Sequence, residues 1–163
     1  MAGTGRLIMR GVVGGLAIGF GGRKLFGWFG GSGHEQTAEN FEKFGYRNGG
    51  AMATLAGVTE LAAGVGLVTG TATPLAAAAL IGEMVNAAAV HRREGLWAEN
   101  GGYEYPVVLI TAAACLAWDG PGPLSVDRAL GRERTGAAWG LGALTLGVAA
   151  GTTVWRVFRD ETY

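Results

Sequence analysis

The stretch AMATLAGVTELAAGVGLVT, residues 51–69, decides the fold class because its one charged residue is Glu60. A helix that crosses a bilayer needs about 20 predominantly apolar residues. A helix on the surface of a globular protein carries a polar face, which this stretch lacks. The sequence therefore predicts a transmembrane helix here, and a buried all-α bundle in water is the weaker alternative.

Four further apolar stretches occupy residues 7–29, 74–90, 105–118 and 135–157. The first and last of these are long and apolar enough to span a bilayer, whereas residues 74–90 are marginal in length. Residues 105–118 are short, so a thin span and a re-entrant segment both remain open. Together with residues 51–69, these stretches predict an all-α integral membrane helical bundle.

The composition supports this class and excludes several others. Charged residues make up 16% of the 163 residues, whereas soluble domains carry about 25%. The apolar fraction of 49% excludes a disordered chain. Thirteen basic residues balance thirteen acidic ones, which excludes the basic surface of a nucleic-acid-binding protein. The single cysteine, Cys115, excludes an internal disulfide.

Small residues at every fourth position predict close helix packing within lipid. The first stretch carries such a stripe at Gly11, Gly15 and Gly19. The last stretch carries another at Ala143, Gly147 and Gly151, preceded by Gly136 and Gly140. These stripes also make a homo-oligomer an expectation. Between the first two stretches, residues 37–46 place Ala38, Phe41 and Phe44 on one face, which predicts a short amphipathic helix at the membrane surface.

The rare polar residues of the apolar stretches converge on one half of the bundle if the helices alternate in direction. Lys24, Glu60 and Glu83 come from three different stretches and lie within about 13 Å of the same membrane face. The expected pocket consists of Lys24, Glu60, Glu83, Asn86, His91, Tyr103 and Glu104. The other half, which includes the turn at residues 70–74, is expected to hold no intramembrane charge.

Lys24 and Glu60 are the first candidate pair, because a charge at a helix centre costs about 2.5–3.5 kcal/mol unless it is neutralised. Glu83 is then expected to hold a proton, since like charges at close range disfavour ionisation. Two interpretations remain open: these groups are structural contacts between helices, or they form a pocket for protons or a quinone-like head group. The two histidines, His34 and His91, lack ligand-spaced partners, so no metal site is expected.

Four motifs resemble the DoxX family of membrane proteins. They are KLFGWFGG at residues 24–31, GVTEL at 57–61 followed by Gly64, GGYEYP at 101–106, and GPGPLSVDR at 120–128. The matching motif residues considered as family sites are Gly27, Trp28, Gly30, Tyr105, Pro106, Ser125, Asp127 and Arg128. The resemblance covers residues 6–130, and it implies a four-helix domain over residues 1–130. Residues 131–163 then form an additional C-terminal transmembrane helix with a short tail.

The resemblance also implies a redox context, since relatives are named as membrane subunits of thiosulfate:quinone oxidoreductase or as partners of detoxifying enzymes. The expected function is a membrane subunit or anchor of a quinone- or thiol-linked oxidoreductase complex in the bacterial plasma membrane. Its partners would be the lipid bilayer and redox proteins, with quinone as the one candidate cofactor. The alternative is a structural membrane scaffold without catalysis, and whether the chain is itself an enzyme is left open.

Overall fold

The computed structural model describes residues 3–160, in which seven α-helices and no β-strand occur. The helices are α1 (Gly3–Phe26), α2 (Gly33–Lys43), α3 (Gly49–Thr69), α4 (Thr73–Val90), α5 (Glu104–Asp119), α6 (Val126–Ala129) and α7 (Ala137–Val157). One long helix occupies each of the five apolar stretches. The amphipathic helix predicted over residues 37–46 is α2, which begins earlier, at Gly33, and ends at Lys43. The all-helical membrane fold is thus confirmed.

The long helices alternate in direction, so the ends of α1, α4 and α7 lie on the same side as the beginnings of α3 and α5. Helix α3 packs against α1, α2 and α4, and α4 also packs against α5 and α7. Helix α4 is therefore the central element, and α7 lies along it in parallel. The buried core consists mainly of alanine and leucine side chains from α3, α4 and α5.

Three of the described helical segments are long and apolar enough to cross a membrane: Gly49–Thr69, Thr73–Glu94 and Ala137–Val157. The sequence prediction differed on two helices: it judged residues 7–29 long and apolar enough to span a bilayer and residues 74–90 only marginal in length. Helix α1 has sufficient length, but its four basic residues lower its apolarity. Helix α4 gains length because a short 3₁₀ helix, His91–Glu94, continues it.

Glycines bring the backbones of α1 and α3 into direct contact. A methyl group on Gly14 would lie 2.7 Å from the carbonyl oxygen of Gly64, and one on Gly21 would lie 2.6 Å from that of Gly57. The stripe that the sequence predicted for helix packing does not make this contact. Side chains at Gly11, Gly15 and Gly19 would meet nothing within 4 Å, because these residues face away from α3.

The small-residue stripe of α7 packs as predicted except at Gly136, which precedes the helix and meets nothing within 4 Å. A side chain on Gly147 would meet Ile81 of α4, and one on Gly151 would meet the carbonyl oxygen of Gly82. Gly140 accommodates the ring of Trp118 at the end of α5. Helix α7 can therefore approach α4 closely at Gly147 and Gly151, because α7 has no side chain at these two crossings.

A buried arginine occupies the half of the bundle where the sequence predicted no charge. Arg10 of α1 is 1% exposed. Its guanidinium donates to the carbonyl oxygens of Leu67 and Val68, each at 2.8 Å, and to those of Pro121 and Leu124. The prediction failed because Arg10 lies near the start of a stretch and resembles a residue at the membrane surface. Arg10 instead fastens α1 to the end of α3 and to the loop after α5.

Asp127 closes the same end of the bundle. Its carboxylate accepts hydrogen bonds from the backbone N–H groups of Ala72 and Thr73 at 2.8 and 3.0 Å, and from the Thr73 hydroxyl. These N–H groups begin α4, where a negative charge is favourable. Ser125 caps the short α6 by accepting from Arg128 N. The GPGPLSVDR segment thus stabilises the turn between α3 and α4.

We expect Gly14→Ala to lower the free energy of unfolding by about 1–3 kcal/mol, because the new methyl group overpacks the α1–α3 contact. Gly15→Ala is the matched control, since a side chain there meets nothing within 4 Å. It should leave stability unchanged or raise it slightly through helix propensity. Unfolding in detergent, followed by circular dichroism, measures both. Equal losses would contradict the assigned helix faces.

We expect Arg10→Leu to cost about 3–5 kcal/mol, because it removes the charge that faces Asp127 and leaves buried carbonyl oxygens unpaired. Arg23→Leu is the control on the same helix, since Arg23 is exposed. Its loss should stay below about 1 kcal/mol. The same unfolding measurement applies, and a tolerated Arg10→Leu would show that this end is held by other contacts.

Candidate functional site

Lys24 and Glu60 form an ion pair between α1 and α3. The Lys24 Nζ donates to both carboxylate oxygens of Glu60, at 2.5 and 2.6 Å. Glu60 is 1% exposed and the Lys24 side chain is 26% exposed. The pair can form because Gly57 accommodates Leu25, which brings the last turn of α1 against α3. Sequence reasoning placed these two residues together, and the structure brings them into contact.

A cavity of about 270 Å³ adjoins this pair. Five of the seven residues expected to form the pocket line it: Lys24, Glu60, Glu83, Asn86 and His91. Among residues 3–160, the Glu83 carboxylate has no hydrogen-bond partner, although it lies within the electrostatic influence of Lys24. The cavity therefore contains one neutralised carboxylate and one that is free to bind.

Helix α2 covers the cavity at the end of the bundle where α1 ends and α3 begins. The Thr37 hydroxyl donates to the carbonyl oxygen of Lys24 at 3.3 Å, and Phe41 lines the cavity. The Phe41 ring lies edge-on to that of Tyr46, with centroids 5.2 Å apart. The amphipathic face predicted for this region thus covers polar groups of the bundle rather than lipid alone.

Tyr46 fixes the orientation of Asn86. Its hydroxyl donates to the Asn86 Oδ1 at 2.6 Å, and both side chains are buried. Burial raises the pKa of Tyr46, so the hydroxyl remains a donor at neutral pH. Sequence reasoning missed this contact, because Tyr46 lies in a loop and nothing in its spacing pointed to α4.

The end of α7 is fastened to the loop that carries Tyr46. The Arg159 Nε donates to the carbonyl oxygen of Phe44 at 2.7 Å, and Arg47 forms an ion pair with Asp160 at 2.8 Å. The backbone N–H of Arg47 also donates to the carbonyl oxygen of Phe158. The C-terminal helix therefore supports the cover of the cavity as well as packing against α4.

The structure does not bring Tyr103 and Glu104 to the cavity. The Glu104 carboxylate accepts from the backbone N–H of Ala98 at 3.0 Å and so stabilises the loop before α5. Tyr103 is half-buried in the same loop. Both residues lie at the start of α5, on the side of the bundle where α1 ends, but position along a helix axis does not fix the direction in which a residue faces. Tyr105 instead contacts Phe20, with ring centroids 5.5 Å apart.

The KLFGWFGG motif makes the tight turn that follows α1. Gly27 ends the helix in the left-handed region at φ 71°, and Gly30 repeats that conformation. The Trp28 ring folds back onto Gly22, where any side chain would collide with it. The motif therefore positions the last turn of α1, which carries Lys24. Gly27, Trp28 and Gly30 line no part of the polar cavity.

A second cavity of about 180 Å³ lies between α3, α4 and α7. It shares three lining residues with the polar cavity: Phe41, Glu83 and Asn86. The rest of its wall is almost entirely apolar. The Glu83 carboxyl thus stands at the junction of a polar and an apolar space.

The donor set determines which chemistry the polar cavity can perform. Across residues 3–160, no group of three or more His, Cys, Asp and Glu side chains is placed to hold a metal ion. The Lys24 ammonium group and a protonated Glu83 can donate hydrogen bonds to a neutral polar ligand, and these groups can exchange protons with it. The cavity is therefore suited to a small polar group that takes up or releases protons.

Lys24→Met and Glu60→Leu should each lower the free energy of unfolding by about 3–5 kcal/mol, because each leaves a buried charge unpaired. The double variant should recover much of the loss, since replacement of both members removes the uncompensated charge. A double-mutant cycle of thermal unfolding in detergent measures the coupling. Additive losses would show that the ion pair does not contribute to stability.

One family model, DoxX, matches residues 5–93, which include α1 to α4 and both members of the Lys24–Glu60 pair. The motifs at residues 101–106 and 120–128 lie beyond the matched segment. No curated protein and no solved structure matches the chain. Because the matched segment covers more than half of the 163 residues, the chain belongs to the DoxX family.

Proposed function

We propose that this protein is the membrane subunit or anchor of a quinone-linked redox complex and that its polar cavity receives the quinone head group. One observation carries the proposal: Glu83, whose carboxyl group has no hydrogen-bond partner among residues 3–160, lines the cavity that also contains the Lys24–Glu60 pair. An ionisable group inside a membrane is costly, and such groups typically mark functional sites.

The residues present fit a quinone. A quinone head group offers two carbonyl oxygens on a flat ring, and it takes up two electrons and two protons on reduction. Lys24 and a protonated Glu83 can each donate a hydrogen bond to such an oxygen. Phe41 and Phe44 supply apolar wall on the α2 side. Lys24 and Glu60 together form a hydrogen-bonded pair that can hold or release a proton at the Lys24 Nζ.

Electrons would come from a partner protein, because the described residues offer no set of ligands for a metal centre. Helix α2 and the 3₁₀ helix His91–Glu94 lie on the membrane face nearest the cavity and form the natural docking side. His91 lies at this mouth, with its ring 5.9 Å from that of Phe44. We propose the bacterial plasma membrane as the location, where such a partner could reach this face.

Glu83→Gln should weaken, by roughly tenfold, the binding of dimethoxy-methyl-benzoquinone to the purified chain, since the carboxyl O–H is replaced by an amide N–H, which is a weaker hydrogen-bond donor and cannot exchange a proton with the quinone. Folding should be spared, because the amide has nearly the same shape and the carboxylate has no partner to lose. Titration calorimetry in detergent measures binding, and thermal unfolding measures stability.

Glu39→Gln is the matched control, because it makes the same change at an exposed glutamate on α2. Its quinone affinity should equal that of the wild-type protein. If the wild-type protein does not bind the quinone, or if Glu83→Gln binds it unchanged, the proposal fails. A protein that binds no quinone but still captures redox enzymes would then act as a structural scaffold.

A further inference from the structure

We infer that the site selects an amphiphilic quinone, whose apolar tail leaves the polar cavity through a cleft between α3 and α7. This inference rests on the proposed function and adds the class of substrate and its route of entry. It starts from the second cavity, of about 180 Å³, which adjoins the polar one at Phe41, Glu83 and Asn86.

The lining of this second cavity suits a hydrocarbon chain. Apart from Glu83, Asn86 and Thr59, its wall consists of glycine and apolar side chains. Ala78, Ala79 and Gly82 form its α4 side, so the central helix offers little bulk there. An alkyl or isoprenoid segment would therefore bury its methylene groups against apolar atoms.

The cleft opens toward lipid rather than toward water. Leu55 of α3 lies on its rim and is 45% exposed on the outside of the bundle. Ala150 of α7 lies on the opposite rim and is also exposed. Both helices are long and apolar enough to cross a membrane. The rim residues consequently face the hydrocarbon region of the bilayer.

Helix α2 covers much of the polar cavity on the opposite side, which favours lateral entry. Helix α2 covers the cavity through the Thr37–Lys24 hydrogen bond, and the loop after it is held by Tyr46 and by the end of α7. A ligand dissolved in the bilayer would reach Glu83 from the side without displacing this cover. The head group would then lie next to Lys24 and Glu83, while the tail would remain in contact with lipid.

Ala150→Phe should block the cleft, because the ring would occupy the rim between α7 and α3. Ala149→Phe is the matched control, since Ala149 is an exposed neighbour on the same helix that does not line the cavity. The probes are dimethoxy-methyl-benzoquinone without a tail and the same head group with a decyl tail. The measured quantity is the ratio of their dissociation constants for each variant in lipid nanodiscs.

In Ala150→Phe, the preference for the decyl probe should fall roughly tenfold or more, because the tail loses its buried apolar site, while the affinity for the tailless probe stays within about twofold. Ala149→Phe should retain the wild-type ratio. Partition of the tail into lipid is the same for all variants, so it cancels from the comparison.

Thr59→Phe on the α3 side, with exposed Val58→Phe as its control, gives a second test if Ala150→Phe does not fold.

An unchanged ratio in a folded cleft variant, with tailless binding intact, would overturn the lateral route and leave the proposed function standing. A wild-type protein that binds neither probe would overturn the proposed function itself. A wild-type protein that prefers the tailless probe would also overturn the inference, because the tail would then gain nothing from the cleft.

Discussion

The contact of the α1 and α3 backbones is the constraint on which the rest of the molecule depends. Gly14 faces Gly64, and Gly21 faces Gly57. The two helices therefore touch at two points, which are seven residues apart along each helix. Bulkier residues would hold the helices further apart, because the carbonyl oxygens already lie within 3 Å of where a side chain would begin. This approach places Lys24 within hydrogen-bond distance of both Glu60 oxygens.

The two polar ends of the bundle differ in how their charged side chains are hydrogen-bonded within the protein. At one end, Arg10 and Asp127 bind mainly backbone groups of the protein, and these bonds fasten α1, α3, α4 and the loop after α5 to one another. At the other end, the Lys24–Glu60 pair leaves the nearby Glu83 without a hydrogen bond among the described residues. A membrane protein gains no stability from such an arrangement. The second end is therefore the better candidate for ligand binding.

Hydropathy predicted the helices well, because each long helix fills one apolar stretch. The depth of charges along alternating helices also sufficed to place Lys24 beside Glu60. Position along a helix does not give the direction around the helix axis in which a residue faces. For this reason Glu104 was wrongly included in the pocket. The glycines of α1 lie on several faces, so spacing alone selected Gly15 rather than Gly14. The Tyr46–Asn86 contact joins a loop to a distant helix, and no local pattern encodes such a pair.

The same small residues that allow close packing also explain why an apolar space remains inside the bundle. Gly82 lets α7 approach α4, but the neighbouring Ala78 and Ala79 are too short to fill the corner that α3, α4 and α7 enclose. Leucine at either alanine would close that corner and gain buried area. The unfilled corner lies directly beside Glu83, whose carboxyl group has no hydrogen-bond partner within the described part of the chain. An apolar space and a free polar group at one junction match a ligand that carries both a polar head and an apolar tail.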